Sequence, residues 1–251
     1  VTCSSTVCNT TEVTEIKTVL SNFRRGDTIK LQAGRVWELN NFTVSGKTGT
    51  GYLLVTSTVD LSQLSQGALS PGMRITPHYR GKSSTDYANS LMPTIGNAAG
   101  YGTAFSLVGS ASNPASYIKF RWVRFASRNQ PSASLVNLGG TPPSPPVSDS
   151  WFPYEIHFEQ CIFEPDGWPS DRTGSLLGGR ARGQTCPAVT VKDSYFRGGL
   201  IPSTTAVETQ LFALQFGCAE LTNNYFGDNS GENVFFGGTG NGGTGSAGTG
   251  E

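Results

Sequence analysis

An eight-residue frame recurs along the second half of the chain and restricts what it can fold into. It runs Ile156-His157-Phe158-Glu159-Gln160-Cys161-Ile162-Phe163, then Val189-Thr190-Val191-Lys192-Asp193-Ser194-Tyr195-Phe196, then Ala219-Glu220-Leu221-Thr222-Asn223-Asn224-Tyr225-Phe226. The first, third and eighth places are apolar each time, and residues 118–125 fit the same frame. Apolar alternation, a polar step and a return to an aromatic describe a short strand, a sharp corner and a second short strand. A unit repeated at intervals of a few tens of residues points to a stacked solenoid.

Composition fits such a stack. Charged residues are 14% of the 251, against about 25% in typical globular proteins. The 32 glycines and 14 prolines exceed a usual combined share of about 12%. Many turns and few long surface helices follow. With 18 basic and 18 acidic side chains the net charge is zero, and no basic run exceeds Arg24-Arg25, so nucleic acid is an unsuitable partner. No apolar run approaches the roughly 20 residues that span a bilayer.

The chain begins Val1-Thr2-Cys3 without an initiator Met, as a processed, exported protein does. Cys3 and Cys8 close a short loop, and Cys186 and Cys218 each lie just upstream of a copy of the frame. Both pairs read as disulfides and imply an oxidising compartment, extracellular or at the cell surface. Cys161 is left over; it shares its place in the frame with Val123, Ser194 and Asn224 and reads as a buried free thiol. No C-x-x-C pair or nearby His favours a metal at the cysteines.

Asn9 with Glu12 three residues on forms a capping box, and Val13, Ile16, Leu20 and Phe23 follow at helical spacing. One amphipathic helix over 9–24 is expected, covering the first coil, whose apolar end and strand edges would otherwise be bare. Strands follow at Thr28-Ile29-Lys30-Leu31-Gln32-Ala33-Gly34 and Tyr52-Leu53-Leu54-Val55. The stretch Arg25-Gly26-Asp27-Thr28-Ile29-Lys30-Leu31-Gln32-Ala33-Gly34, with Phe42-Thr43-Val44 and Gly46-Lys47-Thr48-Gly49-Thr50-Gly51, resembles the opening of right-handed parallel β-helix proteins of the pectate-lyase-like superfamily. More narrowly the chain is similar to exported β-helix proteins of acidobacteria, through Asp193-Ser194-Tyr195, Asn223-Asn224-Tyr225, Gly231-Glu232-Asn233-Val234 and Phe236-Gly237-Gly238. The resemblance covers residues 10–238, implies the fold and assigns no reaction.

Residues 60–100, rich in Ser, Gly, Pro and Asn, read as a lateral loop or a binding surface. A Pro-rich excursion at 139–146 is expected to be extended, and another runs from 165 to 183. One-sided loops on a rigid coil are where function is expected. From residue 239 to 251 the composition turns to Gly and Thr. This tail, with Gly240, Gly245 and Gly250, is expected to pack on itself or on a neighbouring subunit.

Enzymes of the resembling superfamily act on polysaccharides with acids, or with Ca²⁺ and a Lys or Arg base, on one face of the coil. Candidate acids are Glu159, Glu164, Asp166, Asp193 and Asp228; candidate bases are Lys192, Arg180, Arg182 and Arg197. Should the chain be an enzyme, Asp193, Asp228, Glu164, Asp166 and Arg180 are the leading candidates, and Ca²⁺ would serve a lyase. Hydrolysis would need two carboxyls at a defined separation. No dense acidic cluster appears, so these side chains read first as solvated positions on outward strand faces. The corner residues Asp193-Ser194 and Asn223-Asn224 read as structural ladders. His78 and His157 show no shared acidic neighbour, and His157 points outward if Ile156 and Phe158 point in. Trp151 and Trp168 offer faces for sugars, though pinning of their loops to the coil is the stronger reading for both.

The sequence thus predicts one all-β domain over 1–238, a right-handed parallel β-helix with an N-terminal helix and long lateral loops. The leading functional expectation is an extracellular structural or adhesive subunit that self-associates head-to-tail through its coil ends and tail. A polysaccharide lyase or hydrolase, and a non-catalytic carbohydrate-binding protein, are the alternatives.

Overall fold

The computed structural model describes residues 1–64, 67–76, 78–79, 82–86, 90–98, 101–109, 113–127, 134–139, 151–165, 175–183, 185–198, 210–227, 229 and 233–237. One helix, α1 (Thr10–Asn22), precedes the strands. The first coil is β1 (Thr28–Leu31), β2 (Val36–Glu38) and β3 (Phe42–Val44). The second begins with β4 (Leu53–Ser57), carries a lateral hairpin of β5 (His78–Tyr79) and β6 (Lys82–Asp86), and ends with β7 (Thr94–Asn97) and β8 (Phe105–Leu107). Coil three is β9 (Ser116–Arg121), β10 (Arg124–Ser127) and β11 (Val136–Leu138); coil four is β12 (Tyr154–Glu159), β13 (Ile162–Pro165) and β14 (Ser175–Arg180). Coil five is β15 (Val189–Lys192), β16 (Tyr195–Arg197) and β17 (Gln210–Phe216); coil six is β18 (Ala219–Thr222), β19 (Tyr225–Gly227) and β20 (Val234–Phe236). Each coil gives one strand to each of three six-stranded parallel sheets, and the chain is a right-handed parallel β-helix.

Register follows from the alternation read in the frame, because a one-residue slip would turn every apolar side chain outward. In the first sheet Ile29, Val55, Phe120, Phe158, Val191 and Leu221 form one inward column. In the second, Trp37, Ile95, Phe125, Phe163, Phe196 and Phe226 form another. Their rings stack where coils meet, with centroids 4.8 Å apart for Phe125 and Phe163 and 4.3 Å for Phe163 and Phe196.

In coils three to six the corner between the first and second sheets is two residues long, and the first of them is left-handed: Trp122 (φ 58°), Gln160 (51°), Asp193 (53°) and Asn223 (52°). Asn and Asp tolerate this region better than most side chains. The second corner residues point inward and link coils: Ser194 N donates to Asn224 Oδ1 (2.9 Å), and Cys161 N to Ser194 Oγ (3.1 Å). Cys161 is buried, and burial raises its thiol to about 12.

The two ends differ. Asn9 caps α1 through both halves of the capping box, and Ile16, Leu20 and Phe23 are buried against the first coil. Residues 1–8 run along its outer edges: Gln32 N donates to Val1 O, Val36 N to Thr6 O, and Cys8 N to Val36 O. The Cys3–Cys8 disulfide closes this segment, and Cys186–Cys218 joins the approaches to β15 and β18. At the other end β18, β19 and β20 each pair on one side only among the described residues. There Val234 is 37% and Phe236 53% exposed, although their register partners Phe212 and Leu214 are buried.

The lateral segment at 58–93 lies over the first corner. Leu61, Leu69, Ile75 and Met92 bury a second apolar cluster with Trp122 and Ile162. The Gln160 amide donates to Ser70 O and Met73 O, and Asn223 to Gly72 O, so the corner side chains fasten the loop. Of the two readings for this segment, the described part acts as packing.

Candidate functional site

The site lies where the chain enters the first sheet. Four successive coils each bring a side chain there: Arg25 before β1, Tyr52 before β4, Tyr117 in β9, and Tyr154 and Glu155 in β12. Tyr117 and Glu155 have φ of 56° and 54° inside strands. For a tyrosine such a backbone is a marked outlier, and strain of this kind gathers at functional sites. The kinks match, since Tyr154 pairs with Ser116 and Ile156 with Ile118, leaving Tyr117 and Glu155 abreast.

The tyrosine hydroxyl of Tyr52 donates to Glu155 Oε2 at 2.5 Å, reaching from coil two to coil four. His157 Nε2 lies 3.2 Å from both Tyr52 Oη and Glu155 Oε2. Edge-to-face contacts join Tyr52 to Tyr117 at 5.6 Å, Tyr52 to His157 at 4.9 Å, and Tyr117 to Tyr154 at 5.5 Å. Two arginines lie over this row: the Arg25 guanidinium is 3.5 Å from the Tyr117 ring centre, and that of Arg182 is 4.1 Å from Tyr154. Arg25 Nε also donates to Gly51 O at 3.1 Å, which fixes the guanidinium plane.

Burial first, and the bond to Glu155 second, push the Tyr52 phenol up to about 12. The Tyr52 bond first, and the His157 bond after it, hold the Glu155 carboxyl below its ordinary value against the opposing effect of burial. The phenol thus stays protonated and the carboxylate ionised across the neutral range. Further along this outward face, charges compensate one another: Lys119 meets Glu159 at 3.4 Å and Lys192 meets Glu220 at 3.0 Å. These are half-exposed pairs, of little weight for stability.

Among the described residues, those proposed from sequence do not converge. Glu164, expected on a solvated face, is buried, and the guanidinium of Arg124 from the neighbouring coil pairs with it at 2.7 Å. Asp193 sits buried at the corner, where its Oδ1 accepts from Asn223 Nδ2 at 2.7 Å, as a ladder position should. Arg180 ends β14 in the third sheet. Trp151 is half-buried three residues before Tyr154. Asp166, Trp168, Asp228, Gly240, Gly245 and Gly250 lie outside the described residues. His157 points outward as expected, with the Glu155 carboxylate beside it. Cys3, Cys8 and Glu12 are the one group of metal-ligating residue types gathered among the described residues. Both sulfurs are in the disulfide, and Glu12 accepts from Ser4 N and Asn9 N.

The tyrosine row escaped the sequence reading because its members are 103 residues apart from Tyr52 to Glu155. A signal was present nonetheless: Tyr117 and Tyr154 are aromatic positions just upstream of the frame in two successive coils. The fold defines the class, a right-handed parallel β-helix with two disulfides. No family model, no curated protein and no solved structure matches the chain.

Proposed function

We propose that the protein binds an acidic polysaccharide along the outward face at the entrance to its first sheet. The observation that carries this reading is the strained pair Tyr117 and Glu155, which sets Tyr52, Tyr117 and Tyr154 in one row beneath Arg25. Aromatic faces and edges suit sugar rings, and an arginine fork suits a carboxylate. Among the described residues no carboxylate pairs with Arg25, unlike the lysines further along the face. Two disulfides suit an oxidising, extracellular setting in which such polymers occur. Calorimetric titration with oligogalacturonate and with a neutral gluco-oligosaccharide tests it. Binding of the acidic chain, weakened about tenfold or more by Arg25→Ala, is expected; equal binding of the neutral chain would sink the reading.

A second reading, self-association, is favoured by the exposed Val234 and Phe236 on the last coil. Because residues 1–8 already line the edges of β1 and β2, the contact it favours is a closed two-fold pair through coil six, in place of a head-to-tail filament. Light scattering over a concentration series distinguishes a dimer, abolished by Phe236→Ser, from a strict monomer.

A further inference from the structure

Among the described residues, the other carboxylates of the first sheet have a lysine or arginine beside them: Glu159 has Lys119 at 3.4 Å and Arg121 at 3.9 Å, and Glu220 has Lys192 at 3.0 Å. The basic neighbour of Glu155 is His157. The Tyr52 hydroxyl gives its only hydrogen to Glu155 Oε2, so its oxygen can only accept from the ring, and an ionised carboxylate likewise only accepts. His157 Nε2 lies 3.2 Å from both oxygens and therefore carries a hydrogen whatever the charge of the ring. A proton that adds to His157 goes to Nδ1 and leaves these hydrogen bonds in place. The cluster thus changes charge without changing shape: a neutral His157 leaves Glu155 an unmatched negative charge, and an imidazolium cancels it. The register partners of His157 are Lys119 of β9 and Thr190 of β15. Lys119 opposes the imidazolium, though it is held by Glu159, and Glu220 of β18 favours it, though Lys192 of β15 shares that carboxylate. Tyr52 meets the ring edge-on at 4.9 Å, with Tyr117, Arg25 and Arg182 further along the row.

We infer that an acidic chain on the tyrosine row binds together with a proton, taken up at Nδ1 of His157, so that the site is regulated by pH. The inference rests on the acidic-polysaccharide reading above. Glu155 stands in the row itself, abreast of Tyr117 and bonded to Tyr52, and its negative charge opposes an anionic chain laid across the row. Arg25 attracts the same chain from its place over Tyr117. Coulombic coupling acts through several ångströms, so His157 need not touch the sugar to change its affinity. Protonation of His157 cancels the charge of Glu155, and by linkage the bound chain makes His157 hold its proton more tightly. Affinity therefore rises as pH falls. A ligand whose own carboxyls were losing charge would bind more weakly in the same direction, so the sign separates the two effects. Glu155 stays ionised at pH 5, because the bond from Tyr52 first, and that from His157 after it, hold its carboxyl below the ordinary value.

Calorimetric titration of the full chain with oligogalacturonate tests this between pH 5 and pH 8, the span over which imidazoles change charge. Each titration is repeated in two buffers of different ionisation enthalpy, which reads the protons taken up on binding. Affinity about three- to tenfold higher at pH 5 than at pH 8 is expected, with net proton uptake at intermediate pH. His157→Gln should bind with one affinity across the span and take up no proton. His78, the other histidine of the chain, and the Val1 amine remain in that variant, so it isolates His157. Glu155→Gln, close in shape, should bind more tightly than wild type at pH 8, a gain that a folding defect would not give. Wild-type binding of equal affinity at pH 5 and pH 8 overturns the inference and leaves the binding reading standing. Absence of binding at every pH removes both. A pH dependence that persists in His157→Gln overturns the assignment to His157.

Discussion

Ser194 shows how one side chain serves two coils. It is fully buried, accepts from Cys161 N of the coil below at 3.1 Å, and donates to Lys192 O at 2.8 Å. Ser194→Ala leaves a buried amide without that acceptor, at a cost of about 1–3 kcal/mol. Urea unfolding monitored by circular dichroism should read it as a lowered midpoint at unchanged slope. Tyr52 makes a different prediction. Its phenol is raised to about 12 in the fold, so the stability it contributes is complete below the unfolded value of 10 and is lost as pH rises through about 12. Glu155, held low, contributes stability present above the ordinary carboxylate value and lost as pH falls through its folded value. Tyr52→Phe should therefore flatten the loss of melting temperature between pH 10 and 12 relative to wild type. An identical alkaline profile in the two proteins would show that the Tyr52–Glu155 bond contributes nothing.

At the scale of elements, the link between coils five and six is covalent. Cys186 and Cys218 are 32 residues apart, and a cross-link of that span typically stabilises by about 2–4 kcal/mol. Replacing both by Ser should lower stability by that amount and speed hydrogen exchange in β18 first, since this strand follows Cys218 directly. The elements themselves were legible from the frame: Ile156, Phe158 and Phe163 are all buried where alternation placed them, and Asn9 and Glu12 cap α1 as their spacing required. Alternation is a local property of the chain, and one face of each strand obeys it. The site is not local. Tyr52, Tyr117 and Glu155 meet only because coils stack, and neither a left-handed tyrosine inside a strand nor a loop fastened by Gln160 has a signature in neighbouring residues. Glu164 is the same lesson inverted: its outward place just after the frame was readable, but the ion pair that goes with its burial comes from Arg124 of the neighbouring coil.

For the molecule as a whole, a solenoid's stability is a sum of coil and nearest-neighbour terms, so position along the axis matters as much as residue type. Phe163 lies in coil four with a ring on either side, Phe125 and Phe196, and is completely buried. Phe226 occupies the equivalent place in coil six, stacked among the described residues on Phe196 alone at 4.7 Å and only partly buried. Phe163→Ala should cost about 3–5 kcal/mol, the range for a buried aromatic whose cavity cannot collapse. Phe226→Ala removes the same atoms from a site with one neighbouring layer and should cost less than half as much. Native-state hydrogen exchange should follow the same order, with β9 and β12 exchanging near the global unfolding limit and β18 to β20 opening at lower free energy. The N-terminal end should depart from that symmetry, because residues 1–8 and α1 cover β1 and β2. Equal protection of β1 and β18 in dilute solution would mean that coil six is covered as well, and a rise in β18 protection with protein concentration would identify a second copy of the chain as the cover.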